Sequence, residues 1–234
     1  MASEGYHVFT YSIANFPTFR CAEQIRNDID YHNLPVTVVA VGGGLAYGAL
    51  GYSHHAVQDY ALIRCMPNML IAAPGDPMEV KACLRYIISN PQPSYLRLGK
   101  AGEPCFHTQV PKLTPGKWLK IIDGKKKSLL CTGATLELGM YLRDNSHDYL
   151  GSSVYSLPLW GMKCKPLQSP QVSELTSVIT VEDHLEDGGF GSWILESLSN
   201  HRELRNRVEN MSLNSIVCGS VATQKELNEL GGLK

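Results

Sequence analysis

Met69-Leu70-Ile71-Ala72-Ala73 is an apolar run of strand type, and it leads straight into Pro74-Gly75-Asp76-Pro77-Met78-Glu79. The second segment reads as a helix start: Asp76 caps, Pro77 fits the first helical position, and Glu79 completes a capping box. Val80, Cys83, Leu84, Ile87 and Ile88 then recur at helical spacing and define one apolar face. Asn90-Pro91 stops this helix, and Ser94 to Leu98 supplies the next strand. Strand, helix and strand in this order predict α/β layering around a mainly parallel sheet.

The alternation continues in both directions. Upstream, Val36 to Val41 is a β-branched run that ends in Gly42-Gly43-Gly44. Downstream, residues 99–117 are rich in Gly, Pro and Lys, lack periodicity and mark a domain boundary. Beyond it, residues 128–131, 152–157, 178–181 and 215–218 read as strands, with a helix over residues 192–199. The expected fold class is therefore α/β, with two three-layer α/β/α units at residues 1–110 and 118–234. No repeat or low-complexity tract interrupts them.

Composition narrows the function classes. The 234 residues are 44% hydrophobic and 18% charged, which is globular, and the net charge of −1 points to neither nucleic acid nor a membrane surface. No stretch is apolar for long enough to span a bilayer, and no basic-then-apolar leader opens the chain. The expected location is cytoplasmic. Seven cysteines form no Cys-x-x-Cys pair, so a zinc site or disulfide framework is not indicated and no metal ligands are assigned. Lys125-Lys126-Lys127 follows Asp123-Gly124 and reads as a solvated turn.

Three segments carry candidate chemistry. In Tyr11-Ser12-Ile13-Ala14-Asn15-Phe16-Pro17-Thr18-Phe19-Arg20, a strand end feeds aromatic side chains towards a helix that Pro17 helps to start. Phe16 and Phe19 are three apart, a spacing that lets both present rings to a flat ligand, although on periodicity alone ordinary core packing is the plainer reading. In Gly51-Tyr52-Ser53-His54-His55-Ala56-Val57-Gln58-Asp59, Ser53 reads as an N-cap with His54 and His55 in the first helical turn. The field there favours an anionic group and a neutral imidazole able to exchange protons. Glu182-Asp183-His184-Leu185-Glu186-Asp187-Gly188-Gly189-Phe190-Gly191-Ser192 ends a strand in acidic residues before a helix, and a structural loop is its plainer reading. Gly51-Tyr52-Ser53-His54-His55 also resembles a hydrolase nucleophile elbow, but His stands where the second glycine is needed.

Together, in this order, the segments resemble the C-terminal part of transketolase over essentially the whole chain. Residues 16–28 (Phe-Pro-Thr-Phe-Arg-Cys-Ala-Glu-Gln-Ile-Arg-Asn-Asp) are similar to the family segment beside the thiamine pyrimidine ring. Residues 51–64 resemble its Gly-x-Ser/Thr-His helix start, and Pro67-Asn68-Met69 with residues 74–79 the segment that follows. Pro93-Ser94-Tyr95-Leu96-Arg97-Leu98-Gly99-Lys100 is similar to the closing strand, and residues 182–192 to the Glu-Asp-His…Gly-Gly-x-Gly-Ser turn of the C-terminal domain.

The resemblance implies a partial thiamine-diphosphate pyrimidine-binding domain followed by a Rossmann-like C-terminal domain. It implies Phe16 stacked on the aminopyrimidine, with Phe19 and Ile13 at neighbouring cofactor contacts. His54 would be the catalytic residue, moving protons and orienting substrate, with His55 beside it. Lys100 falls where the family binds substrate phosphate with an arginine; it keeps the charge but not the bidentate geometry. Magnesium and the pyrophosphate end are expected on a missing domain or a partner chain. The expected partners are a homodimer mate or a complementary N-terminal subunit, and a sugar or oxo-acid substrate.

The family's cofactor-activating glutamate is expected upstream of Met1, so the chain is expected to transfer no two-carbon ketol unit alone and to expose a sheet edge. A family histidine aligns with Gly42 and a donor-recognising aspartate with Leu50, which argues against ordinary ketose-phosphate specificity. The alternatives are a non-catalytic assembly or regulatory subunit, deoxyxylulose-phosphate synthase, the β chain of 2-oxo-acid dehydrogenases, and, behind these, a serine hydrolase.

Overall fold

The computed structural model describes all residues from Met1 to Lys234. Strand β1 (Val8–Ile13) is followed by the short helices α1 (Asn15–Arg20) and α2 (Ala22–Gln24), the latter running on as a π-helical turn through Asp30. Strand β2 (Val36–Val41), with its β-branched run, is buried on both faces. Helix α3 (Asp59–Ile63), strand β3 (Leu70–Ala72), helix α4 (Pro77–Ser89) and strand β4 (Ser94–Leu98) complete the first half.

The local chemistry of α4 is close to expectation. The Asp76 side chain accepts from the Glu79 amide at 2.7 Å, and Pro77 opens the helix. Glu79 differs: its carboxylate accepts from the Gly75 amide rather than closing the box onto Asp76. Cys83 and Ile87 are buried, whereas Ile88, expected on the same face, is exposed. It lies at the far edge of the apolar stripe, where the helix turns to solvent.

The second half contains β5 (Leu119–Ile122), β6 (Ser128–Cys131), α5 (Thr135–Asn145), β7 (Ser153–Ser156), β8 (Leu159–Trp160), α6 (Gln168–Ser173), β9 (Val178–Leu185), α7 (Phe190–Ser197), α8 (Arg202–Arg205), β10 (Val208–Leu213) and α9 (Gln224–Leu230). Residues 215–218 do not form the expected strand. Asn214 caps a single 3-10 turn there, accepting from the Ile216 amide, and the strand is instead β10 just upstream. Its alternating Val-Glu-Asn-Met-Ser-Leu sequence is too polar to announce itself.

Two five-stranded sheets result, in the orders β1-β2-β4-β3-β8 and β10-β9-β6-β7-β5. All pairings are parallel except β3 with β8 and β5 with β7. The α/β architecture with mainly parallel sheets is thus present. Strand β8 comes from the second half but completes the first sheet, with Ile71 opposite Trp160. The largest core cluster joins Val38, Ile71 and Tyr95 to Leu130, Trp160, Phe190 and Trp193. Trp160 packs its ring 5.0 Å from Tyr60 and 5.1 Å from Trp193. Arg64 and Lys165, from different halves, both pair with Glu196.

Candidate active site

The carboxyl ends of parallel strands are where an α/β sheet leaves loops free to bind ligands. At that end of the first sheet, four segments are laced together by backbone bonds. Ala14 donates to Val41, Gly42 and Gly43 both donate to Leu98, and Gly44 exchanges two hydrogen bonds with Ala56. Asn15 Nδ2 donates to the Ser53 carbonyl at 2.8 Å, tying the start of α1 to the turn that bears His54.

That turn is not the helix start that Ser53 suggested. Residues 52–54 form a 3-10 turn, His55 is extended, and α3 begins only at Asp59. Residues 56–58 lie between, where pairing with Gly44 holds the chain extended, so no helix dipole acts on either histidine. His54 is half-buried, and its Nδ1 lies 3.0 Å from Ser53 Oγ. His55 is buried, and its Nε2 donates to the Gly48 carbonyl at 3.1 Å.

Phe16, half-buried, meets the His54 ring edge-on with centroids 5.0 Å apart, and the Arg20 guanidinium lies 4.7 Å over the Phe16 ring. Ile13 closes β1 opposite Val41. Phe19 is 48% exposed and faces away from the core. Lys100 is exposed just past β4 and lines a cavity of about 770 Å³ with Gly43, Glu103, Thr135, Asp183 and Lys225. Neither Phe16 nor His54 lines that cavity. The structure therefore brings Phe16 and His54 together, leaves Ile13 at the end of β1 just ahead of α1, and sets Lys100 on the cavity rather than with that pair.

Beneath the loops is a buried charge cluster that motif reading passed over. Arg97 Nε donates to Asp59 Oδ2 at 2.8 Å, Nη1 to Asp183 Oδ1 at 2.6 Å, and Nη2 to the Ala56 carbonyl at 2.9 Å. Tyr95 adds a hydroxyl to Asp59 at 2.7 Å, and the guanidinium lies 4.4 Å over Tyr60. Burial opposes the guanidinium's charge, but Asp183 and Asp59 more than restore it. One sequence signal marked the cluster: an arginine inside the otherwise apolar Tyr95-Leu96-Arg97-Leu98 strand must be paired if it is buried. Asp183 and His184, read as the end of a strand, lie within β9 and are buried. Glu182 beside them accepts from the Phe190 and Gly191 amides, and burial pushes its carboxyl up to about 8.

No group of three or more His, Cys, Asp or Glu side chains is placed to hold a metal ion. No helix is long and apolar enough to cross a membrane.

Residues 1–102 match the model of the transketolase pyrimidine-binding domain. Over 206 residues the chain is 30% identical to one subunit of the apulose-4-phosphate transketolase of Phocaeicola vulgatus, covering 85% of this chain and 64% of that protein. It is 33% identical over 192 residues to 1-deoxy-D-xylulose-5-phosphate synthase of Thermus thermophilus, covering 80% of this chain and 30% of that one. The chain thus spans less than two thirds of the length of these curated relatives. Among solved structures, a split-gene transketolase described as an inactive β4 tetramer superimposes with a TM-score of 0.81 at 26% identity, covering all of this chain and 73% of that one. The transketolase of Campylobacter jejuni shares the fold, with a TM-score of 0.68 at 17% identity over 98% of this chain and 34% of that one.

The class is that of α/β proteins whose first sheet carries a pyrimidine-binding domain. Within it, residues 1–102 match the transketolase pyrimidine-binding domain, and the chain as a whole is similar to C-terminal-type chains of the transketolase family. The family is one of thiamine-diphosphate enzymes.

Proposed function

We propose that the chain forms the pyrimidine side of a transketolase-type site that moves a two-carbon ketol unit between sugar-type substrates. The observation that carries this reading is the Phe16 ring set edge-on to His54 at the carboxyl end of the first sheet. A half-buried aromatic face beside a half-buried imidazole suits a flat heteroaromatic ring on one side and a polar substrate on the other. Phe16 and Ile13 would hold the pyrimidine. Phe19 faces solvent in this chain alone, so its contact would require a second chain.

Thiamine diphosphate, when bound, supplies the carbon nucleophile that ketol transfer needs. The chain's own residues position and move protons. With Ser53 donating to Nδ1, His54 carries its proton on Nε2, which is then available to a hydroxyl or carbonyl oxygen of the substrate. Lys100, exposed on its flexible four-carbon stem, suits the acid end of a substrate as a point charge. A complementary chain would bring the pyrophosphate and magnesium site. Two findings support such a partner: one relative is itself a subunit of a transketolase, and another was solved as an inactive tetramer of its β chains.

The test is reconstitution. The chain alone, given thiamine diphosphate, magnesium and hydroxypyruvate as ketol donor, should show no transfer; adding a pyrophosphate-binding chain should restore it. In the restored enzyme, His54→Ala should lower turnover far more than cofactor affinity, by roughly 10²–10⁴-fold, the usual contribution of a general acid–base group. Phe16→Ala should weaken cofactor binding. Turnover by the chain alone, or an unchanged rate in His54→Ala, would sink the assignment.

A further inference from the structure

Arg97 occupies a place that a stabilising ion pair does not require. Its guanidinium touches three segments of the candidate site and one strand of the second sheet. Nη2 holds the Ala56 carbonyl, two residues from His54, and Nε holds Asp59, the first residue of α3. Glycine is needed at position 43 because a Cβ there would stand 2.6 Å from Cζ, so the loop after β2 rests on the guanidinium. Lys100 follows three residues later, just past the end of the same strand. Nη1 reaches Asp183 of β9, in the other sheet. Asp183 in turn presses on the same loop: at Gly44, which has φ of 61°, a Cβ would run into the Asp183 carboxylate.

We propose that Arg97 is a positioning residue of the ketol-transfer site, through which Asp183 of the second sheet fixes the loop that carries His54. This rests on the reading of the site given above. Three directed donors are needed at fixed angles, which the planar guanidinium supplies and an ammonium does not. Two carboxylates on one guanidinium, inside the protein, leave no slack for the Ala56 carbonyl to drift. The second half of the chain thereby sets the geometry of a site whose motif residues all lie in the first half.

The test compares two variants with one control, each in the full chain. Asp183→Asn keeps the volume of the side chain and weakens its hold on Nη1. Tyr95→Phe removes a single hydroxyl from Asp59, and keeps the question open should Asp183→Asn fail to fold. Glu196→Gln breaks the other charged bridge between the halves, at Arg64 and Lys165, away from the site. The first readout needs no partner: the imidazole NMR signals of His54, assigned with His54→Gln, should move in Asp183→Asn and Tyr95→Phe. Those of the exposed His147 should stay in place, and Glu196→Gln should leave both unmoved. The second readout is the reconstituted enzyme with hydroxypyruvate, where Asp183→Asn should lower kcat about tenfold to a hundredfold, the cost of small misplacement, with KM for thiamine diphosphate unchanged. A lower Tm with the His54 signals and kcat both intact would overturn the proposal and leave Arg97 as a stabilising pair. If no reconstituted chain transfers ketol but the His54 signals still move, the functional reading fails while the positioning of His54 stands.

Discussion

At the residue scale, the sharpest consequence concerns a carboxylate outside the candidate site. Glu79 is fully buried, and one of its oxygens accepts from the Gly75 amide at 2.7 Å and the Ser156 hydroxyl at 2.9 Å. Its other oxygen has no partner and stands 3.9 Å from His107 Nε2, itself unpartnered, while His107 Nδ1 is held by Asp76. Burial raises the Glu79 pKa, against its hydrogen bonds and His107. Burial also raises Glu103, to about 7, and Glu182, to about 8. A raised carboxyl favours the folded state in its protonated form. That contribution is complete below the unfolded value near 4.5 and is lost as pH rises through the folded value. His184 and His7 are shifted the other way, downward by burial, so their contributions are lost only as pH falls below 6.5. Between about pH 7.5 and 8.5 the raised carboxyls set the slope, joined towards the upper end by the thiols of Cys83, Cys131 and Cys164, which burial also shifts up, and Tm should fall. Glu79→Gln keeps an oxygen for both donors and offers an amide N–H towards His107. It should therefore raise stability at about pH 8.5 by on the order of 1–3 kcal/mol and flatten the Tm profile. A profile as steep as that of the parent chain would contradict the assignment.

At the scale of elements, legibility followed locality. The start of α4 could be read from Asp76-Pro77-Met78-Glu79 because cap, proline and acidic residue act within one turn. The same logic failed at Ser53-His54-His55, where the two-way pairing of Ala56 with Gly44 pulls the chain straight. The pairing of Phe16 with His54 was implied only by family likeness, since they are far apart in sequence and no periodicity links them. The Arg97 cluster draws on residues from 56 to 183, beyond the reach of any window. An exposed edge strand was also expected, and β1 fits that description: it bonds only to β2 and carries Phe9 at 43% and Tyr11 at 75% exposure. An open edge with alternate aromatic residues is prone to pair with another chain. The isolated chain should therefore associate at micromolar concentration. Tyr11→Lys, a charge of the kind that protects natural edges, should shift it towards smaller species in light scattering. An unchanged mass distribution would place the association surface elsewhere.

At the scale of the whole molecule, the boundary read over residues 99–117 meets a core that ignores it. Strand β8 reaches back to complete the first sheet, and Ala73 donates to the Pro158 carbonyl as it arrives. Trp160, fully buried, fills the space between Tyr60 of the first half and Phe190 and Trp193 of the second, and its Nε1 donates to Thr132 Oγ1 at 3.1 Å. Arg97 and Asp183 make the same connection in charge. Two halves that share one core and a buried ion pair cannot lose half of it without exposing the other half's apolar face, so unfolding should be cooperative across the chain. The expected result is a single denaturant transition, identical by tryptophan fluorescence and by far-UV circular dichroism. Trp160→Ala should shift that whole transition by about 3–5 kcal/mol, the usual cost of emptying a large aromatic site. Residues 1–117 expressed alone, lacking β8, should give the poorly dispersed NMR spectrum of an unfolded or loosely packed chain. Two separable transitions, or a folded first half, would show that the bridge merely joins two self-sufficient units. In that case the influence of Asp183 on the loop of His54 would have to survive without a shared core to transmit it.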